Sequence, residues 1–227
     1  MSQEYVIGID VGTGSARAGL FDRHGKMLAS ATQPITMWKP KPHYAEQSSE
    51  DIWQAICSCV RRSLSEASVQ ASDIAGISFD ATCSLVVLDA SDAPLPVNDE
   101  GDAARNIIVW MDHRAITETE EINAQGHDVL RYVGGQLSPE METPKLLWLK
   151  RHLPETWNRA AKFFDLADYL TYRSTGVDSR SLCTVVCKWT YLGHEEEGWS
   201  RTYFDQIGLG ELLEGSKIGT EIRPMGE

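Results

Sequence analysis

The sequence predicts an α/β layered fold, and three observations carry that expectation. Two consecutive β-hairpins open the chain, strands and helical segments alternate after them, and "IAGISFDA" has the unbroken apolar character of a covered strand. With 227 residues and 42% hydrophobic content, the chain can build one large core or two modest ones.

The elements follow in order. In "YVIGIDVGTGSARAGLFDRHG", Tyr5 to Val11 alternates as a strand, "GTG" breaks it, and Ala16 to Phe21 returns as a second strand. "DRHG" is a further turn signal and "KMLASATQPI" a third strand. After the Pro-rich connection "WKPKPHYAEQSS", Ser49 reads as a helix N-cap. Ile52, Trp53, Ile56, Val60 and Leu64 then recur at helical spacing. "IAGISFDA" reads as a buried strand and "SLVVLDASDAPL" as a strand leading into a turn. The polar loop "PVNDEGDAAR" precedes the strand "NIIVW" and a helix expected to start near Asp112 and run through "HRAITETEEINA". "SPEMETPKLLWLKRHLPETWNRAAKFF" reads as two helices punctuated by Pro154, and "DLADYLTYRSTG" as another ending at Gly176. Neither an internal repeat nor a low-complexity tract interrupts this pattern.

A formal net charge of −12 excludes a protein that grips nucleic acid or an anionic membrane through a basic face, because such contacts need clustered Lys and Arg. The start "MSQEYVIGID" has no basic region followed by a long apolar run, and no later segment approaches the roughly 18 apolar residues that span a bilayer. A cytoplasmic protein acting on a small molecule is therefore expected. The five cysteines, Cys57, Cys59, Cys83, Cys183 and Cys187, suit free thiols better than a disulfide framework, and their spacings without paired histidines do not match a zinc site. They read as partly buried small apolar residues.

The turn at "GTG" is a candidate anion site. A dinucleotide-binding turn runs straight into a helix, whereas here the chain turns back as a strand, and no Gly-Lys-Ser or Gly-Lys-Thr closes a Walker loop. What remains is a hairpin turn in which Gly12 and Gly14 allow close approach to an anion. Thr13 and Ser15 can donate to phosphate oxygens, and Arg17 can reach the same anion. Asp10, beside this loop, either faces a divalent cation that separates it from the phosphates or supports the turn through its own backbone. Asp80 ends the strand "GISFD", where ligands collect in open α/β sheets, and is followed by "ATCS", which contains Thr82. Asp112, His113 and Arg114 end the strand "IIVW" at a strand-to-helix switch, where Asp112 either caps the helix or belongs to a site. Lys188, in "TVVCKWTYL", must snorkel to water or meet an anion or hydroxyl. Trp53, Trp110, Trp148 and Trp189 sit in apolar patterns and read as core.

Six stretches, "IGIDVGTGSARAGLFD", "HYAEQSSEDIW", "GISFDATCSLVVLD", "VWMDHRA", "TPKLLWLKRHLPETW" and "FFDLADYLTYRSTG", resemble in order and spacing the N-terminal domain of the FGGY carbohydrate kinases. The resemblance covers almost the whole chain. "FDATCSLVVLD" followed by "VWMDHRA" looks most like the ribulokinase-type pentulose kinases, whereas glycerol kinases and xylulokinases usually differ in both stretches. It implies a ribonuclease H-like, actin-type ATPase domain with a mixed sheet flanked by helices, and a second such domain closing over a cleft that holds sugar and MgATP. By the family pattern Asp10 lies near the magnesium ion, Gly12, Thr13, Gly14 and Ser15 belong to the phosphate loop, and Arg17 lies near the transferred phosphate. Asp80, Thr82, Asp112, His113, Arg114 and Lys188 fall in stretches that line the sugar pocket. The resemblance further implies ATP and Mg2+ as cofactors, a sugar or polyol as substrate, and a homodimer as the full-length enzyme.

Phosphoryl transfer also needs a carboxylate that accepts the proton of the attacking hydroxyl. In the family that base lies beyond the part matched here, in a motif expected past Glu227. Residues 1–227 then form an N-terminal, sugar-binding domain that is inactive or nearly so alone, with the nucleotide-binding domain absent. The competing readings are a kinase for glycerol, xylulose or another polyol, and a non-catalytic actin-like sugar or nucleotide sensor. An NAD-dependent oxidoreductase is disfavoured by the hairpin after "GTG".

Overall fold

A computed structural model describes residues 4–226, which fall into two compact units: one made of the chain up to Met37 with Ser48–Thr82, the other of Trp38–Gln47 with the chain from Cys83 onward.

In the first unit β1 (Tyr5–Val11) pairs antiparallel with β2 (Ser15–Asp22), and β2 pairs antiparallel with β3 (Met27–Pro34), so the two expected hairpins form. The short β4 (Glu46–Gln47) belongs to the second unit. Helix α1 (Ser49–Ala67) packs on the sheet, and β5 (Ile74–Ala81) completes it in parallel with β1, giving the order β3-β2-β1-β5. Alternation explains the packing: Ile7, Ile9 and Val11 of β1 and Ala16, Ala18 and Leu20 of β2 are buried, as are Ile52, Ala55, Ile56 and Cys59 of α1. The small strand residues let the helix approach closely enough for the Cys59 thiol and the Ser63 hydroxyl to donate to the carbonyls of Ala16 and Ala18.

Two expectations shift here. The N-cap is Ser48, one residue before Ser49, and its hydroxyl accepts from the Asp51 N–H at 3.2 Å. Strand β5 is not buried: Ala75, Gly76, Ile77, Ser78 and Asp80 are exposed, with Ile77 at 46%. The cause is its position. It is the outermost strand beside β1 and α1 lies over β2 and β3, so an apolar strand that reads as interior stands at an edge.

The second unit holds an antiparallel sheet of order β4-β7-β6-β8, built from β4, β6 (Leu85–Leu88), β7 (Ile107–Ile108) and, later in the chain, β8 (Lys162–Asp165). Between β7 and β8 come α2 (Ile116–Ala124), α3 (Glu142–His152) and α4 (Pro154–Arg159). After β8 follow α5 (Leu166–Thr175), β9 (Ser179–Ser181), α6 (Leu182–Lys188) and α7 (Arg201–Gln206). The last element, β10 (Glu221–Arg223), pairs in parallel with β9. Leu85, Val86, Val87 and Leu88 are all buried, against Phe163, Leu146, Leu149 and Trp148 among others.

Pro154 opens α4 at its first turn, where a missing N–H costs nothing, and Gly176 ends α5 at φ 74°, as the sequence predicts. Three boundaries differ. The strand "NIIVW" shortens to Ile107–Ile108, and "KFF" joins a strand rather than a helix, pairing antiparallel with the fully buried β6. Helix α2 begins at Ile116, four residues after Asp112, and no side chain caps it. Trp148 and Trp189 are buried as expected, while Trp53 and Trp110 are only half-buried.

Candidate functional site

The hairpin turn of the first unit gathers the expected phosphate-side residues. Gly12 to Gly14 link β1 to β2, with the Gly12 N–H donating to the Ser15 carbonyl at 3.0 Å. A Cβ at Gly12 would stand 2.7 Å from Arg17 Nη2, the flexible end of a half-exposed side chain that can shift aside. The register puts Asp10 between two partners, Arg17 across the antiparallel pair and Asp80 across the parallel one. Arg17 Nη1 donates to Asp10 Oδ2 at 2.8 Å, and Arg17 Nε to Ser15 Oγ at 3.4 Å. Both members of the ion pair are about half exposed, so a ligand can compete for either. Thr82 follows directly, its N–H donating to the Val11 carbonyl at 3.0 Å. Two carboxylates one strand apart, with a guanidinium beside them, make an oxygen-rich and partly solvated site. That donor chemistry fits a hard cation such as Mg2+ with an adjacent anion. Asp10 and Asp80 are the residues that would hold the metal, and Arg17, Thr13 and Ser15 those that would meet phosphate oxygens.

In the second unit Asp112 and Arg114 come together, but as scaffold. Asp112 is fully buried and its two oxygens accept four hydrogen bonds: from the Ala45 N–H, the Arg114 N–H, Arg114 Nε and Arg114 Nη2, at 2.6 to 2.9 Å. A carboxylate has about four lone-pair sites, so none is left for a substrate hydroxyl. Arg114 also donates to Glu46 Oε1 at 2.9 Å and to the Val97 carbonyl at 2.6 Å, and its guanidinium lies over the rings of Tyr44 and Trp148. Glu46 is also paired with Arg105 at 3.3 Å, and burial raises its carboxyl above the usual range against the pull of Arg114. The polar atoms of Asp112 and Arg114, both expected in the sugar pocket, are thus engaged inside the protein. His113 turns to Glu140, with Nε2 3.1 Å from Oε1. Lys188, half-buried at the end of α6, pulls down the carboxyl of Glu142 and the thiol of Cys83, which places it within electrostatic reach of both.

Those neighbours point to residues that sequence reasoning missed. Glu142, Lys145 and Asp165 are all fully buried. Lys145 Nζ lies 3.6 Å from Glu142 Oε1 and donates to the Glu140 carbonyl at 3.3 Å. Both Glu142 oxygens and Asp165 Oδ2 are buried without a hydrogen-bond partner, an unusual state for a native interior. Burial pushes the Glu142 carboxyl up to about 7 despite Lys145 and Lys188. Burial, with repulsion from Glu142 and Asp168, raises that of Asp165 well above the ordinary value. The available signal was the spacing Glu142 to Lys145 inside "ETPKLLWL", a helix segment with no polar face to receive either charge.

A carboxyl whose folded pKa is raised binds its proton more tightly when folded. Its contribution is fully present below the ordinary 4.5 and is lost as the pH rises through about 7. The unfolding free energy is therefore expected to fall between about pH 5 and pH 8, by about 3 kcal/mol for Glu142. Chemical unfolding across that range checks this: Glu142→Gln should flatten the slope, and an unchanged slope in that variant contradicts the assignment.

A mixed sheet that starts with two hairpins, adds a parallel strand, and sets acidic strand ends beside a glycine turn defines a domain of the actin-like ATPase class. The chain belongs to the FGGY family of carbohydrate kinases, whose N-terminal domain matches residues 5–219. It is 50% identical over 227 residues to an FGGY carbohydrate kinase domain-containing protein of Homo sapiens, covering 99% of this chain and 40% of that protein. It is 46% identical to a D-ribulokinase of Saccharomyces cerevisiae, covering 97% of this chain and 32% of the yeast protein. Among solved structures, a ligand-bound xylulose kinase from Lactobacillus acidophilus superposes with a TM-score of 0.80 over 97% of this chain and 42% of its own, at 24% identity, which speaks for the fold. The chain thus spans less than half the length of these relatives.

Proposed function

We propose that this chain supplies the sugar-binding and phosphate-facing part of an ATP-dependent pentulose kinase, with D-ribulose as the substrate. The observation that carries the substrate is the 46% identity to a D-ribulokinase along nearly the whole chain. The site supports the reaction class. Asp10 and Asp80 offer oxygen ligands to Mg2+, which neutralises phosphate charge when bound, and Arg17 meets the anion being transferred. In the second unit Lys188 reads the sugar, while Asp112 and Arg114 hold β4 and the segment after β7 rigid. The base that deprotonates the attacking hydroxyl lies beyond Glu227 in this reading.

Titration calorimetry of the 227-residue chain with D-ribulose, D-xylulose and glycerol tests the substrate. Binding of D-ribulose with a tenfold or greater preference is expected, since hydrogen-bonding sites discriminate strongly by hydroxyl placement. Equal or stronger binding of glycerol or D-xylulose overturns the assignment.

A further inference from the structure

Residues 38–46 form a closed loop within the second unit. Trp38 and Glu46 exchange two backbone hydrogen bonds at 2.9 Å, which ties its ends together. Its middle is held as firmly: the His43 carbonyl accepts the His113 N–H at 2.8 Å, the Ala45 carbonyl accepts the Val109 N–H at 3.0 Å, and the Ala45 N–H donates to Asp112 Oδ2 at 2.6 Å. His43 takes a φ of 70°, in the region that favours glycine, and Pro40 and Pro42 fix two further φ angles. Little backbone freedom is left to lose when a ligand binds, which lowers the entropic cost of holding one.

This loop and Met111 line a cavity of about 440 Å³, within the roughly 300–1,000 Å³ usual for small-molecule pockets. Lys39, Lys41 and His43 stand on its lining, all exposed, and no carboxylate does. Lys41 is paired with Asp99, but both are about half exposed, so the pair is weak and open to exchange. Tyr44 gives the cavity a fixed wall, its ring held by the Arg114 guanidinium 4.1 Å from its centre and by an edge contact with Trp148. None of the roles assigned above uses this cationic cluster. The chain's net charge of −12 repels polyanions such as nucleic acid, so the complementary anion is small. Lysines serve phosphate well as point charges, while Tyr44 and Met111 offer contact to an organic body.

We propose that this cavity binds a phosphorylated small molecule, its phosphate met by Lys39, Lys41 and His43 and its organic body resting against Tyr44 and Met111. Every residue of the site belongs to the second unit, whereas Arg17 and its hairpin belong to the first.

The test titrates the full 227-residue chain by calorimetry with D-ribose 5-phosphate, inorganic phosphate and D-ribose, and follows the Met111 methyl group by NMR. One D-ribose 5-phosphate per chain is expected, with a shifted Met111 signal, weaker binding of inorganic phosphate, and D-ribose weaker than the ester by about tenfold or more. Replacing both lysines, Lys39→Ala with Lys41→Ala, should weaken the ester by a similar factor. Arg17→Ala, and Lys26→Ala in the exposed β2–β3 turn, should leave it unchanged. Circular dichroism spectra and thermal unfolding, recorded for every variant, separate loss of the site from loss of the fold. Equal binding of D-ribose, undiminished binding without the two lysines, or no binding at all overturns the proposal. Binding lost in Arg17→Ala puts the phosphate at the hairpin and overturns it too, and an unmoved Met111 signal overturns the placement of the organic body.

Discussion

Arg114→Ala is expected to lower the unfolding free energy of the chain by about 3–5 kcal/mol, the usual cost of removing one partner from a buried ion pair. The reason is geometric. Arg114 supplies three of the four hydrogen bonds to the Asp112 carboxylate, two through its side chain, and a direct partner to Glu46, and all three side chains are shielded from water. Removing the guanidinium leaves Asp112 with backbone donors alone and Glu46 with Arg105 at 3.3 Å. It also strips a cation from between Tyr44 and Trp148. Urea unfolding of the isolated chain measures the effect, and a loss below about 1 kcal/mol, the value of a surface pair, contradicts the buried-scaffold account.

Asp10→Asn is expected to have the opposite profile. Its ion pair with Arg17 is half exposed, so the stability change should stay within about 1 kcal/mol. If Asp10 organises the cation and phosphate, however, turnover should fall by about 10²–10³ in a kinase-competent protein, here the chain joined to the C-terminal part of its yeast relative. Sugar affinity should change little. Normal turnover in this variant, or a loss explained by unfolding, removes Asp10 from the site.

The contrast between Arg114 and Asp10 shows what was legible in the sequence. The hairpins, α1, α5 and the stops at Pro154 and Gly176 follow from local chemistry: alternation, caps, glycine and proline. The Asp10, Arg17 and Asp80 grouping is legible for the same reason, since hairpin register and a strand end fix it with few long-range contacts. Burial was harder. Strand β5 is apolar yet exposed, because its place at the sheet edge is set by topology and not by its own residues. Asp112 looks like a helix cap and is instead bound to Ala45, far away in sequence. Glu142 and Asp165 owe their raised titration first to burial, which for Asp165 is reinforced by Glu142 from a separate segment of the chain, and no local pattern announces either. The cysteines repeat the lesson, with α6 turning two of them outward.

Sugar-dependent ADP release by the joined protein, with MgATP and D-ribulose, D-xylulose, L-ribulose, ribitol and glycerol in turn, is the most direct test of the central claim. The account predicts robust turnover with D-ribulose, little with the others, and none by the 227-residue chain alone. Robust turnover by the chain alone would contradict the placement of the base beyond Glu227 and make Asp80 the carboxylate to replace. Preferred turnover of glycerol or D-xylulose by the joined protein would contradict the assignment of the sugar.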